Sequence, residues 1–182
     1  MSDLNLRIPG PVPLPEDVLE LVGRQMINHR GPEFADIINR MTTNFKTVIG
    51  TQGRAYFLTA SGTGSMEAAI VNTLSPGDQI LSISIGSFGN RFGDIAEAYG
   101  VEVTRIEFEW GKAADPERVR EEIRSMQDCA AVVVTHNESS TGVMNPIDAL
   151  SRVIHDESDA LVLVDAVSSA AGVPLPMDDW GL

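Results

Sequence analysis

The sequence has little of what an extracellular, membrane or metal-rich protein needs. Its 182 residues include a single cysteine, Cys129, which excludes an internal disulfide framework. No apolar run approaches the ~20 residues of a membrane-spanning helix. The first residues also lack the basic and apolar regions of a signal peptide. These absences predict a protein of the cytoplasm that does not enter membranes.

Basic residues are scarce as well. The chain has 13 lysines and arginines against 26 aspartates and glutamates, for a net charge of −13. This balance repels nucleic-acid backbones and anionic lipid, so neither is expected as a partner. There are only three histidines, and His136 and Glu138 have no second carboxylate at ligand spacing, so we expect no metal site.

The rest of the composition, with 43% hydrophobic residues, is that of a globular chain. Four prolines between Pro9 and Pro15 exclude a regular helix and predict an extended arm over residues 1–15. Apolar spacing then predicts helices over 16–26 and 34–45, separated by the segment NHRGPEF. We expect residues 16–182 to form one domain.

Short β-branched runs alternate with amphipathic segments along the rest of the chain. This order is typical of an α/β fold with a mostly parallel sheet and flanking helices. Two helix starts are marked by a capping residue followed by proline, at Asp115-Pro116 and Asn145-Pro146. The predicted strands cover 55–59, 80–85, 101–108, 130–135 and 160–165, and the predicted helices cover 64–74, 91–99, 116–127 and 147–156.

Ligands of such sheets bind beyond the carboxyl ends of the strands. After strand 55–59 come Ser61, Gly62, Thr63 and Gly64, at the start of a helix. Exposed amides at a helix N-terminus, glycines that allow close approach and two hydroxyls suit a phosphate. The segment lacks the lysine of a P-loop and the last glycine of a dinucleotide motif, so neither nucleotide motif is met. A glycine-rich turn with a hydroxyl cap is the alternative.

Two other strand ends carry an aromatic ring and a cluster of polar groups. Phe88 lies in the predicted loop GSFGNRFG, where its ring could stack on a planar ligand or pack beneath its own loop. The segment THNESSTG concentrates hydrogen-bonding side chains in one turn. Such a segment can equally be a polar turn that caps itself.

Asp165 ends the last apolar run, LVLVD. A buried carboxylate without a partner costs several kcal/mol or becomes protonated, so this residue needs a partner. A catalytic acid, a metal ligand and the partner of a cationic heterocycle are all compatible with its position. Taken together, a phosphate cradle, a stacking ring, a polar cluster and an anion for a ring nitrogen compose a pyridoxal phosphate site.

Four segments occur in a fixed order: SGTGSMEAAIVN, GSFGNRF, THNESSTG and VDAVSSAAG. With them the chain resembles the class V, fold-type I aminotransferases of the alanine–glyoxylate, serine–pyruvate and serine–glyoxylate group. The resemblance covers nearly the whole chain, including IPGPVPLP and NHRGPEF. It implies a homodimeric enzyme that uses pyridoxal 5'-phosphate and transfers an amino group from serine or alanine to glyoxylate or pyruvate.

The resemblance assigns polar and backbone contacts to four positions. Ser61, Gly62 and Thr63 would hold the phosphate of the cofactor. Ser139 would lie near the hydroxyl of the pyridine ring. These assignments make the strand ends described above a single cofactor site.

The resemblance also assigns the groups that surround the ring and the substrate. Phe88 and Val167 would pack on opposite faces of the pyridine ring. Asp165 would pair with the ring nitrogen and is the catalytic residue expected in this chain. Gly10, in the N-terminal arm, would border the substrate cleft.

The chain departs from the family at the catalytic lysine. In the family this lysine follows a Gly-Ser-Gln-Lys-like stretch beyond the aspartate, whereas Lys46 and Lys112, the two lysines of this sequence, match no such motif. We therefore expect an N-terminal half, truncated before the lysine and the small domain, that does not transaminate at a useful rate alone. A cysteine desulfurase-like enzyme and a non-catalytic cofactor- or partner-binding remnant stay open; Phe88 speaks against the former, which usually has histidine there.

Overall fold

The computed structural model describes residues 6–182 and divides into two compact units, Met1–Phe45 and Lys46–Leu182. In the first unit, residues 6–15 adopt no helix or strand. Helix α1 (Glu16–Val22) follows, and then α2 (Pro32–Val48), whose last three residues belong to the second unit; neither helix buries a residue. α1 ends at Val22, before its apolar pattern does, and the residue at its C-cap is Gly23, a poor helix former.

The second unit alternates strands and helices. Its strands are β1 (Gln79–Ser84), β2 (Glu102–Glu107), β3 (Ala131–Thr135), β4 (Asn137–Glu138), β5 (Val143–Met144) and β6 (Leu161–Asp165). Its helices are α3 (Gly62–Thr73), α4 (Ser87–Ala98), α5 (Pro116–Ser125), α6 (Ile147–Glu157) and α7 (Met177–Trp180). Four strands form a parallel sheet in the order β2–β1–β3–β6, while β4 and β5 pair as a small antiparallel hairpin. The predicted α/β fold with a mostly parallel sheet is confirmed.

Helices cover both faces of the sheet, so β3 is buried throughout and β1 is buried from Ile80 onward. On one face, Leu81 of β1 belongs to a cluster that includes Val119 of α5 and Leu150 of α6. On the other face, its neighbour Ile80 belongs to a cluster with Ile70 of α3 and further residues of α4. This three-layer arrangement places the starts of α3 and α4 at the carboxyl edge of the sheet.

One predicted strand and one predicted helix start are wrong. Residues 55–59 form no strand, and Tyr56 and Leu58 are exposed. Among the described residues no strand lies beside this segment, and β-forming side chains do not make a strand without a ladder partner. The helix expected from residue 91 begins at Ser87, so Phe88 lies in its first turn and not in a loop.

The two predicted helix caps have different outcomes. Asp115 caps α5, because its carboxylate accepts a hydrogen bond from the Glu117 amide at 3.1 Å. Asn145 does not cap α6, which begins at Ile147 without a side-chain cap. The buried Asn145 amide instead accepts from Ala114 N at 2.8 Å and donates to Thr135 O at 2.9 Å. Buried backbone groups nearby compete successfully for its side chain.

Candidate active site

Helix α3 begins inside the glycine-rich segment. Ser61 is its N-cap residue, and its Oγ accepts a hydrogen bond from Gly64 N at 3.2 Å. The hydroxyl cap considered above is therefore present. The first amides of a helix have no acceptor within the helix, and among residues 6–182 nothing accepts from those of Gly62 and Thr63. Two N–H groups at the positive end of α3 are thus available to an anion.

Strand β6 brings Asp165 to the start of α3. The segment that follows the strand packs so closely there that a Cβ on Gly62 would lie 2.9 Å from Cγ2 of Val167. Gly62, Asp165 and Val167 line the same groove, whose volume is about 560 Å³. The strand end that carries Asp165 and the start of α3 at Gly62 therefore line the same groove.

Asp165 is a buried carboxylate with few partners. Its side chain is 8% exposed, and its Oδ1 accepts from Val167 N at 2.9 Å. Burial raises the pKa of Asp165, and the nearby Glu138 charge raises it further, while the Val167 N–H opposes both. No cationic side chain of the described residues pairs with it. An ion pair with a ring N–H⁺ would offset this desolvation, so the donor set fits a pyridinium.

The groove continues along the free edge of β6. Leu161 N donates to Ala130 O and Asp165 O accepts from His136 N, so alternate residues of β6 face β3. The backbone groups of Val162 and Val164 therefore point toward the groove. Met66 of α3, Phe92 of α4 and Met177 of α7 form apolar parts of its walls, and His155 of α6 also lines it. Only the Asp165 end combines a carboxylate with helix amides.

Phe88 connects to this end through Arg91. The Arg91 guanidinium lies 5.0 Å from the centroid of the Phe88 ring, and its Nη1 donates to Thr63 Oγ1 at 3.3 Å. The first turns of α3 and α4 are thereby linked. Sequence reasoning missed Arg91, although its position one helical turn after Phe88 places both on one helix face. A guanidinium beside open amides adds positive charge where a phosphate would sit.

Ser139 lies in the turn between β4 and β5. The hairpin is fastened to the segment after β6, since Asn137 Nδ2 donates to Ser168 Oγ at 2.8 Å and Ser168 Oγ donates to Asn137 O at 2.9 Å. The neighbours of Ser139, Glu138 and Ser140, contact the start of α4. Four segments singled out from the sequence thus meet at one edge. Gly10 belongs to the first unit. A Cβ added to it would have no atom of the described residues within 4 Å other than those of Gly10 and its two neighbours in the chain.

The described residues show neither a metal site nor a membrane segment. In residues 6–182 no three His, Cys, Asp or Glu side chains are grouped to hold an ion. None of the helices in that range has the length and apolar character required to traverse a bilayer.

His136, beside the site, is a buried ring with one nitrogen that lacks a partner among residues 6–182. It is 2% exposed, its centroid lies 6.0 Å from that of Trp180 in an edge-on arrangement, and its Nδ1 has no partner in the described chain. Burial lowers the pKa of His136 below its ordinary value of 6.5. Charging the ring therefore opposes folding.

We expect the free energy of unfolding to fall as the pH drops below about 6.5, because the unfolded chain then takes up a proton that the folded ring resists. The loss continues until the pH passes below the lowered pKa of the folded state. His136→Asn should flatten this slope, whereas His29→Gln, at an exposed position, should leave it intact. Urea unfolding between pH 5 and pH 8 measures both variants. An unchanged slope in His136→Asn would contradict the prediction.

Comparison with known proteins places the whole second unit in one family. The family model for class-V aminotransferases matches residues 16–182. A soluble hydrogenase small subunit of Synechococcus is 42% identical over 97% of this chain, and a serine–glyoxylate aminotransferase of Methylorubrum extorquens is 36% identical over 97%. The crystal structure of an alanine–glyoxylate aminotransferase from Nostoc matches all of this chain with a TM-score of 0.91 and 30% identity. The chain spans 47%, 45% and 49% of these three proteins, respectively.

Proposed function

Because the chain belongs to the class V aminotransferase family, we propose that it forms the part of an aminotransferase that binds pyridoxal phosphate. One observation carries the proposal: the tight contact of Val167 with Gly62, which sets the buried Asp165 carboxylate beside the open amides of α3. The amides would face the phosphate of a phosphorylated pyridinium, and the carboxylate would face its ring N–H⁺. The family match supports the same cofactor.

The start of α3 would bind the phosphate. The amides of Gly62 and Thr63 would donate to its oxygens, with the hydroxyls of Ser61 and Thr63 beside them. Arg91, already within hydrogen-bond distance of Thr63, would add a charge-assisted bond. The phosphate thus serves as the anchor that fixes the position of the ring.

The ring would lie between Phe88 and Val167, with Ser139 near its hydroxyl and Asp165 at its nitrogen. Bound pyridoxal phosphate supplies an electron sink for the carbon that loses its proton in amino-acid chemistry. Asp165 would hold a proton on the ring nitrogen, because an ionised carboxylate in a water-poor site favours its protonated partner. Val167, 70% exposed, leaves its side chain available for the ring face.

The substrates we propose are a small amino acid, serine or alanine, and a 2-oxo acid, glyoxylate or pyruvate. Support comes from the names of the Methylorubrum and Nostoc relatives, both of which specify glyoxylate. The role of Gly10 at the substrate, the homodimer and the cytoplasmic location stay predictions. So does the domain division into an arm and a cofactor-binding domain.

Neither lysine of the chain is proposed to hold the cofactor. Lys46 Nζ donates to Gln52 O at 2.9 Å, and Lys112 pairs with Glu109 in an exposed turn. Neither residue lines the groove that contains Asp165. The amine that activates the substrate carbon is therefore not assigned to any described residue.

Cofactor binding to the 182-residue chain tests the proposal directly. Pyridoxal phosphate is titrated into the protein and followed by absorbance and tryptophan fluorescence, then treated with borohydride before intact-mass measurement. We expect saturable binding, weaker for pyridoxal without its phosphate, and no stoichiometric addition of mass. Absence of saturable binding would refute the proposal. Addition of one cofactor at Lys46 or Lys112 would refute the proposal that neither lysine holds the cofactor.

A matched pair of variants isolates the phosphate end. Thr63→Val removes one hydroxyl at the start of α3 with little change in shape, and Thr104→Val makes the same change on the half-buried strand β2. We expect only Thr63→Val to weaken binding, by about threefold to tenfold, the value of one hydrogen bond. Equal effects of the two variants would show that α3 does not hold the phosphate.

A further inference from the structure

Glu138 is a buried carboxylate for which the proposed reaction has no direct use. Its side chain is 0% exposed. Oε2 accepts from the amides of Phe88 at 2.9 Å and Gly89 at 3.0 Å. Oε1 accepts from the amide of Ser140 at 3.0 Å and from its hydroxyl at 2.7 Å. Four uncharged donors thus hold this carboxylate between α4 and the β4–β5 hairpin.

Helix α4 has no cap of its own. Gly86, at the N-cap position, offers no side chain, so the first amides of the helix need acceptors from elsewhere. Ser87 N donates to Ser140 Oγ at 3.0 Å, and the next two amides donate to Glu138. The cap therefore comes from residues about fifty positions along the chain. Its negative charge also lies at the favourable end of the helix dipole.

Gly86 makes room for this remote cap. A Cβ at this position would lie 2.5 Å from both Glu138 Cγ and Ser140 Oγ, closer than atoms can approach. The start of α4 and the hairpin therefore pack backbone against side chain with no intervening group. Displacement of one would displace the other.

We propose that Glu138 is a positioning residue that fixes the Phe88 ring relative to Ser139 and Asp165, by capping the turn of α4 from which that ring projects. The inference rests on the proposed function, since it assumes that Phe88 faces a cofactor. Glu138 precedes Ser139 directly, so one side chain sets the spacing between the stacking ring and the polar turn. The Glu138 charge also bears on Asp165, whose pKa it helps to raise.

The test compares Glu138→Gln with Glu121→Gln, the same change at an exposed position of α5, in the 182-residue chain. An amide side chain has a single acceptor oxygen, so its NH₂ must face donors. We expect faster hydrogen exchange at the Phe88 and Gly89 amides in Glu138→Gln, with α5 unchanged. We also expect pyridoxal phosphate to bind about tenfold more weakly, as for a lost bond to a charged group. Glu121→Gln should match the wild type in both readouts.

A double-mutant cycle separates positioning from general stability. If Glu138 acts through the ring, Glu138→Gln in a Phe88→Leu background should cause no further loss of cofactor affinity. Additive losses would overturn the proposal, as would wild-type affinity in Glu138→Gln. If the wild type itself binds no pyridoxal phosphate, the proposed function fails first and the positioning role fails with it.

Ser140→Ala provides a second route if Glu138→Gln does not fold. It removes the acceptor of the Ser87 amide and one donor to Glu138 while leaving the carboxylate in place. We expect faster exchange at Ser87 and a loss of cofactor affinity that again disappears in the Phe88→Leu background. Unchanged exchange at Ser87 would overturn the capping arrangement.

Discussion

Asp165→Asn should make the cofactor-free chain more stable at pH 7 and at the same time weaken its binding of pyridoxal phosphate by about 10- to 100-fold. Burial raises the pKa of Asp165, so the folded chain binds this proton more tightly than the unfolded chain does. The free energy of unfolding therefore falls as the pH rises from the ordinary aspartate pKa through the raised one. Asparagine does not titrate and escapes this loss, but it offers no charge to a pyridinium.

Urea unfolding at pH 4 and pH 7, together with cofactor titration, measures the two opposite effects. Asp159→Asn, at an exposed position just before β6, is the matched control and should change neither quantity. The gain in stability should be larger at pH 7 than at pH 4, where the wild-type carboxyl is closer to neutral. A variant that is less stable at pH 7 would show that Asp165 already has a stabilising partner in the folded chain.

Gly89→Ala should destabilise the chain by about 1–3 kcal/mol, the usual cost of overpacking. Ordinarily alanine is the better helix former by about 0.5–1 kcal/mol, so the expected sign is reversed here. A Cβ on Gly89 would lie 2.9 Å from Ser84 Cα and 3.2 Å from Ile83 O, and the strand backbone cannot move aside as a side chain can. The helix would have to lift from β1.

Gly172→Ala serves as the comparison, because a Cβ there would lie at an ordinary 3.4 Å from Ser169 O. We expect that variant to remain within about 0.5 kcal/mol of the wild type in urea unfolding. Gly89→Ala should also weaken cofactor binding, since α4 carries Phe88. Unfolding that is unchanged or shifted to higher urea would mean that α4 does not lie against β1 as described.

Features with local causes could be predicted from the sequence. Asp115 caps a helix by accepting a hydrogen bond from an amide two residues away, so the sequence pattern contains both partners of the bond. Alternation of β-branched and amphipathic segments reflects burial of the strands by helices, and it predicted the parallel sheet. The strand-end rule placed Asp165 correctly at the carboxyl edge of the sheet. The glycine-rich turn also reaches this edge, but as the start of α3 and not as the end of a strand, since residues 55–59 form none.

Features with distant causes could not be predicted. The start of α4 depends on acceptors about fifty residues away in Glu138 and Ser140, so local pattern placed Phe88 in a loop. Asn145 has the residue type and spacing of a cap, yet buried groups of β3 and of the segment before α5 take its side chain. Residues 55–59 have strand-forming side chains, but a β-strand needs a partner strand to which its backbone can hydrogen-bond. Tertiary contacts decide each of these cases.

The open edge of β6 has a practical consequence for anyone handling this chain. The unpaired backbone N–H and C=O groups of this edge strand can hydrogen-bond to a strand of another molecule, which leads to aggregation. The net charge of −13 keeps molecules apart in dilute buffer, and salt screens that repulsion over distances beyond about 8–10 Å. We therefore expect turbidity and light scattering to rise with ionic strength and with protein concentration, and a lysine in place of Leu161, the exposed side chain of this strand, to delay them.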